Sequence, residues 1–423
     1  LREGASVPSL GRMISMARPA RIWAALALIL AAVVPMADTA AQPDRCLEDF
    51  APADEGTARP TPVAERALVQ ARNFPGDRHL GRLRWATAHP AGDEVRLGPV
   101  KGGLVAVNLP PERGDGREWP VVRVMRASDG ATVWERRGTT PPGAAGAPGI
   151  LNLSSSDHVA AFDITTGRNL WCAQRSGRFP EGLDNETVVT EHGDVLDIGT
   201  SITSLHARTG KPRWHIPAQL DTTATGAGVL AYDTNTAPAG LHVRRLPDAT
   251  LLWRATGPIK RVIGVGAGRV LVEEGSNDSS WIVAYDLGTG QRRWRRPVTG
   301  LGMPGWRLLD DRLLVGDTFL SDSHVQALNL SDGSPLWSVD VPGGLDTEYA
   351  PLHRASLYGP DPSGGLKVFD TKRGTMSRTL PSVAWPPPRI ETDSVAFENN
   401  LAIGDGLLLA QIDNLTLAFD LPH

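Results

Sequence analysis

Val283-Ala284-Tyr285-Asp286-Leu287-Gly288-Thr289-Gly290-Gln291-Arg292-Arg293-Trp294 decides the fold. Val283 to Tyr285 is a short apolar run of the kind that forms a strand. Asp286 can accept bonds from the backbone amides just ahead of it, and Gly290 takes the positive φ of a hairpin turn without steric cost. A second strand then carries Trp294. The same order recurs from Ala160 through Asp163 and Gly167 to Trp171, from Ser204 through Gly210 to Trp214, and from Ala327 through Asn329 and Gly333 to Trp337. Degenerate copies run from Arg126 to Trp134 and from Arg245 to Trp253. One more copy, Val368-Phe369-Asp370 to Arg373-Gly374, has Arg378 where a Trp is due.

Trp85, Trp134, Trp171, Trp214, Trp253, Trp294 and Trp337 thus stand in one register, 37 to 49 residues apart. A period of that length marks a propeller, solenoid or array. The intervals hold two further strands each. Arg261–Val265 and Arg269–Val272 flank Gly266-Ala267-Gly268, and Trp306–Leu309 and Arg312–Val315 flank Asp310-Asp311. Four short antiparallel strands per period make one propeller blade. A buried Trp removes roughly 150–250 Å² from water, worth about 4–6 kcal/mol as an upper bound. One such anchor per unit can fasten each blade to the next.

The chain ends on Leu415-Thr416-Leu417-Ala418-Phe419-Asp420, a strand and Asp with no Trp after it. It carries Leu83-Arg84-Trp85 near the start, with no strand-and-Asp motif before it. Each end supplies what the other lacks. The expectation is an all-β, eight-bladed β-propeller of four-stranded blades, closed by its N- and C-terminal strands. Seven blades is the alternative count.

The Ala-x-Asp-x-x-Thr-Gly-x-x-x-Trp pattern resembles the tryptophan-docking repeat of propellers of the pyrroloquinoline-quinone (PQQ) type, over residues ~80–423. No Trp-Asp dipeptide occurs, unlike WD40 repeats, and the repeating double-Gly pattern of kelch units is lacking. The resemblance implies one of two branches. Quinoprotein dehydrogenases hold PQQ and calcium and oxidise alcohols or sugars. The other branch keeps the propeller without the cofactor and includes the outer-membrane assembly lipoprotein B-like proteins.

The formal net charge of −4 is no footprint for nucleic acid. Residues 22–37 form an apolar run behind Arg12, Arg18 and Arg21, followed by Thr39-Ala40-Ala41. That is the layout of a secretory signal peptide over residues 1–41, with a possible upstream extension before Met13 or Met16. An uncleaved membrane anchor is the alternative, and the only membrane contact expected. Residues 42–79 read as an extended linker with a short helix near Ala64–Arg72, and 80–423 as the propeller. Cys46 and Cys172 are the only cysteines, and an even count in an exported chain permits one disulfide.

Chemistry is sparse. There is no Gly-x-Ser-x-Gly, Cys-x-x-Cys or His-Glu-x-x-His. Gly264–Gly268 lies between two strands and reads as a turn. Gly275–Asp278 and Leu320–His324 are acidic loops without the ligand count of a calcium loop. Arg292, Arg293, Arg295 and Arg296 make a basic cluster around Trp294. A quinoprotein enzyme needs a vicinal disulfide and dedicated calcium ligands, but the two cysteines lie far apart. The expectation is an exported, bacterial, protein-binding or scaffolding propeller of the cell envelope or secreted space. It is read as lacking a catalytic residue, a cofactor and a metal, and its protein partner is unknown. Loops Asp233–Gly240 and Glu274–Ser280 are the expected contact sites. A PQQ-dependent alcohol or sugar dehydrogenase is the alternative.

Overall fold

The computed structural model describes residues 43–52, 62–89, 95–109, 120–140, 147–175, 186–190, 194–199, 201–217, 222–234, 239–276, 279–298, 304–317, 322–348, 350–361, 365–379 and 401–422. The leader-like segment 1–41 lies outside these residues. From Ala41 onward the chain forms one unit, an eight-bladed β-propeller.

Blade 1 spans Arg96–Arg137, blade 3 Glu186–Ile216, blade 4 Thr222–Ala255, blade 5 Ile259–Val298, blade 6 Pro304–Pro342 and blade 7 Leu352–Thr379, each with four antiparallel strands in chain order. Blade 2 has three, Ile150–Ser154, His158–Asp163 and Asn169–Gln174, with an isolated bridge from Thr139 to Ser154 at its inner side. Blade 8 is made from both chain ends. Leu401–Gly404, Leu407–Ile412 and Leu415–Asp420 supply three strands, and Leu83–Ala88 pairs as the outermost fourth.

The motif works in the same way at six seams. The indole Nε1 of each Trp donates to a backbone carbonyl of the next blade: Trp85 to Ala127 at 2.8 Å, Trp134 to Ile164 at 2.8 Å, Trp171 to Ala207 at 2.6 Å, Trp214 to Leu246 at 2.6 Å, Trp253 to Leu287 at 2.7 Å and Trp294 to Leu330 at 2.9 Å. The acceptor always follows the residue in the Asp slot. The ring lies against the turn glycine three residues further on. At Gly333, with φ +71, an added Cβ would sit 2.7 Å from Trp294, so both the backbone angle and the close approach demand Gly. Blade 4 departs from this pattern, with Ala249 in the glycine place at φ +55.

The Asp side chain organises the turn. Asp163 Oδ1 accepts from the amides of Thr165 and Thr166 at 3.0 and 2.9 Å, and Asp286 Oδ1 from those of Gly288 and Thr289 at 3.1 and 3.0 Å. The degenerate copies rebuild it with reversed charge. Arg126 and Arg245 fill the slot, and Asp129 and Asp248, three residues on, pair with them and accept from Ala131 and Thr250.

Trp337 docks by its ring alone. It covers Gly374, but its Nε1 has no partner among the described residues. The carbonyl in the acceptor position, Thr371, instead receives Arg312 Nη1 at 3.1 Å. Blade 7 also corrects the placing of Arg378. The other outer strands carry a one-residue bulge that sets Trp opposite the residue two before Asp, as Trp171 opposite Ala161. Blade 7 lacks the bulge, so Ser377 lies opposite Val368 and Arg378 moves to Lys367.

The segment expected to be an extended linker with a short helix near Ala64–Arg72 has that helix at Pro62–Asn73 (α2) and a further one at Pro43–Asp49 (α1). Ala64, Ala67 and Ala71 of α2 share one helix face, being three and four residues apart. They pack with Leu80 against Tyr358 and Val368 of blade 7 and Leu408, Leu417 and Phe419 of blade 8. Tyr358 donates to the His79 carbonyl at 2.9 Å, and His79 Nε2 lies 2.9 Å from Ser377 Oγ. The seam without a docking Trp is therefore held by the N-terminal segment. At the other side, Phe50 packs with Trp134 and Phe162, and Cys46 is disulfide-bonded to Cys172 of blade 2, with Cα atoms 6.2 Å apart. The chain then lies along the outer strand of blade 1, where the Arg137 amide donates to the Ala51 carbonyl at 3.0 Å and Pro52 bridges Arg136.

Candidate functional site

The topology divides the ring's two ends. The Asp–Gly turns and the hairpins between first and second strands, such as Gly266-Ala267-Gly268, lie at one end. The connections from second to third strand and from blade to blade lie at the other. Asp233–Gly240 and Glu274–Ser280 are second-to-third connections of neighbouring blades 4 and 5, so they share that second end. Residues 235–238 and 277–278, and the start of the acidic loop 320–324, lie outside the described residues.

At this loop end, first strands surround the centre of the ring and bring charges together. Arg261 of blade 5 is ion-paired with Glu348, just ahead of blade 7. Arg307 of blade 6 donates to the carbonyls of Glu348, at 3.3 Å, and of Ala350. Lys260 donates to Ser280 Oγ at 2.7 Å and lies 3.9 Å from Glu273. Glu274 accepts from the Tyr285 hydroxyl. Burial, with that carboxylate beside it, holds the Tyr285 phenol above its ordinary value. No spacing in the sequence marks this group, because Arg261 and Glu348 lie in different blades.

A second polar group closes the seam between blades 8 and 1. Arg123 is ion-paired with Glu135, both nearly inaccessible. Arg123 Nη1 reaches His89 Nδ1 at 3.0 Å, and His89 Nε2 lies 2.7 Å from Thr416 Oγ1. Arg can only donate, so Nδ1 accepts and the ring proton sits on Nε2. Thr416 passes the chain on to Gln411 at 2.5 Å. Burial, with the Arg123 charge, pushes His89 down to about 3. This His is a neutral structural link with no access to solvent.

Two clusters carry residue types used in hydrolysis. Ser155 Oγ and His158 Nδ1 both meet Asp49 Oδ2 at 2.7 Å. The Ser has no His base there, and the group pins α1 to blade 2. On blade 6, Ser338 Oγ lies 2.7 Å from His324 Nε2, whose Nδ1 lies 2.8 Å from Asp340 Oδ1. That is the contact order of a nucleophile, base and orienting acid. It stands on an open sheet face, with the His and Asp side chains 47 and 86 % exposed. Acyl transfer also needs donors for the oxyanion and a wall that excludes water. The neighbours Leu336 and Val339 on the outer strand supply neither.

The described residues do not fit a quinone–calcium pair. No three of their His, Cys, Asp or Glu side chains are placed to hold a metal ion. The cations Lys260 and Arg261 at the centre already face carboxylates, and the disulfide joins blade 2 to α1 rather than adjacent residues.

Among solved structures, a computationally designed protein, Ika8, is similar with a TM-score of 0.54 and 12% identity, over 81% of this chain and 100% of that one. BamB from Moraxella catarrhalis is similar at a TM-score of 0.46 and 14% identity, over 79% and 99%. A quinohemoprotein alcohol dehydrogenase from Pseudomonas putida HK5 is similar at a TM-score of 0.49 and 11% identity, over 87% and 83%. No curated protein matches the sequence. The family model described as outer membrane protein assembly factor BamB matches residues 67–239 and 239–382. These spans hold blades 1 to 7 with their docking tryptophans, and the chain belongs to this family of PQQ-type propellers.

Proposed function

We propose that the chain is an exported, non-catalytic propeller that binds proteins as a scaffold of the cell envelope. The family match carries this reading, because its description is that of an assembly factor. Three features support it. The titratable groups at the centre and at the seams are engaged with one another. The disulfide between Cys46 and Cys172 suits an oxidising compartment. The Arg-flanked apolar run before Gln42 suits export through a cleaved leader. The loop end offers a rigid rim whose connections can vary without touching the docking tryptophans.

A photo-crosslinking side chain placed at the exposed Ala239 or Ser279 tests the reading in the native host. The expected result is a discrete adduct with one partner protein, and a mature N-terminus near Gln42. Stoichiometric PQQ binding with dye-linked oxidation of an alcohol or sugar would restore the dehydrogenase alternative. Labelling of Ser338 by a fluorophosphonate would point to a hydrolase instead.

A further inference from the structure

We infer that the outer edge of blade 5 is a docking strand for an extended, acidic segment of a partner protein. The inference rests on the protein-binding reading above and names the chemistry of what is bound. Arg292–Val298 is the outermost strand of its blade and pairs on one side only, with Ser279–Asp286. An unpaired edge is a template for another strand. Four of its seven residues are arginines, all exposed, and none is acidic.

Charge on an edge strand also guards against unwanted pairing. Guarding alone does not account for this strand. The outer strand of blade 2, Asn169–Gln174, has no charge, and that of blade 4, Leu251–Ala255, has one. The outer strand of blade 5 carries four positive charges in a chain whose net charge is −4.

Arg293 is committed to Asp286 at 2.7 Å. Arg292, Arg295 and Arg296 make no ion pair among the described residues, and Arg296 lies within electrostatic reach of Asp332 in the next blade. The Arg295 guanidinium is held 4.1 Å above the Trp281 ring, so its position is set before any partner arrives. Arg296 shares the face of Trp294 and lies by Gly333 of blade 6. Arg295 is on the opposite face. Cations on both faces of a sheet edge cannot meet one flat membrane together. A strand added along the edge projects side chains to both faces and meets both.

The chain itself shows that its outer edges accept such an addition. Ala51 and Pro52 lie along the outer strand of blade 1, bonded to Arg137 and bridged to Arg136. That strand also ends on two arginines.

The test uses the full chain and a fluorescent peptide, Thr-Glu-Glu-Val-Glu-Glu-Thr, whose consecutive acids face both ways when extended. Binding is expected to fall with salt, to drop at least about tenfold in R295E/R296E, and to drop similarly when alternate peptide nitrogens are methylated so that no strand can form. The R66E/R72E control on α2 should bind as the parent does. No binding, an equal loss in the control, or indifference to methylation overturns the inference. So does capture of phosphatidylglycerol vesicles that is lost in R295E/R296E. A partner crosslinked at Ala239 or Ser279 with no peptide bound at blade 5 would sink this inference and leave the proposed function standing.

Discussion

Trp85 lies opposite Ala418 in the ladder of blade 8, the relation that Trp171 holds to Ala161 within one continuous hairpin. One motif is thus divided between the two ends of the chain. Beside it, Arg84 and Asp420 approach to 2.5 Å.

Removal of Leu415–His423 tests that division. It takes the partner of Leu83–Ala88 and the buried Leu415, Leu417 and Phe419 at once. The shortened chain should lose a single cooperative melt. A transition within about two degrees of the parent would show that the ends do not close the ring.

The indole proton separates two docking positions. Trp294→Phe leaves the Leu330 carbonyl without its donor and should cost about 1–3 kcal/mol beyond the change in packing. Trp337→Phe removes a donor that has no acceptor among the described residues and should cost clearly less. Denaturant titration of the two variants, together with Trp294→Ala and Trp171→Ala at about 3–5 kcal/mol each, measures the difference. Equal losses for the two Phe variants would contradict the seam described for blade 7.

Ala249 and Gly333 should respond in opposite directions. Ala249 holds φ +55 where the other docking turns have Gly, a conformation costing an L-residue about 1–2 kcal/mol. Ala249→Gly is expected to raise stability by up to about 1 kcal/mol, after the added freedom of the unfolded chain. Gly333→Ala should lower it by more than about 2 kcal/mol, since Trp294 blocks the new Cβ. A destabilised Ala249→Gly would refute the comparison.

His89 should make the ring sensitive to acid. Its folded pKa of about 3 lies below the ordinary 6.5, so the unfolded chain takes up the proton first. Its contribution is complete above pH 6.5 and is lost as pH falls toward 3, at no more than about 1.4 kcal/mol per pH unit. His89→Gln should flatten stability between pH 6.5 and 4.5, even if it is less stable throughout. An unchanged slope there would remove His89 from the cause.

Asn152 should be improvable. It is fully buried, and neither its amide nitrogen nor its oxygen has a partner among the described residues. It faces Ala161 in the ladder, where the matching residues of blades 3, 5, 6 and 8 are Leu196, Leu271, Leu314 and Leu409. Asn152→Leu should therefore stabilise by about 1–2 kcal/mol, read from a urea midpoint. Destabilisation would mean that the site cannot take the larger apolar side chain.

The fold was legible because its information is periodic and local. Asp, Gly and Trp sit within one hairpin, and their spacing repeats. Arg378 was misplaced for the same reason: counting residues cannot reveal that blade 7 lacks a bulge. The Arg126–Asp129 and Arg245–Asp248 turns hid because the acid stands three residues after the slot and accepts from a different amide of the turn, that of Ala131 or Thr250. The polar groups at the ring's centre and closing seam were not legible at all. His89 meets Thr416, and Arg261 meets Glu348, only after the blades have been placed. The helix near Ala64–Arg72 was legible and is found as α2, whereas α1 escaped because its short apolar face gains meaning only from the blade it covers.

The division of one hairpin between Trp85 and Asp420 also sets a schedule. Leu83–Ala88 emerges among the first strands of a nascent or threaded chain, yet its partner emerges last. Contacts between such distant residues form late and slowly. Until then the ring is an open arc with both edge strands bare, and α2 has only half of the surface it covers. Closure of the ring is therefore timed by the arrival of Leu415–Asp420.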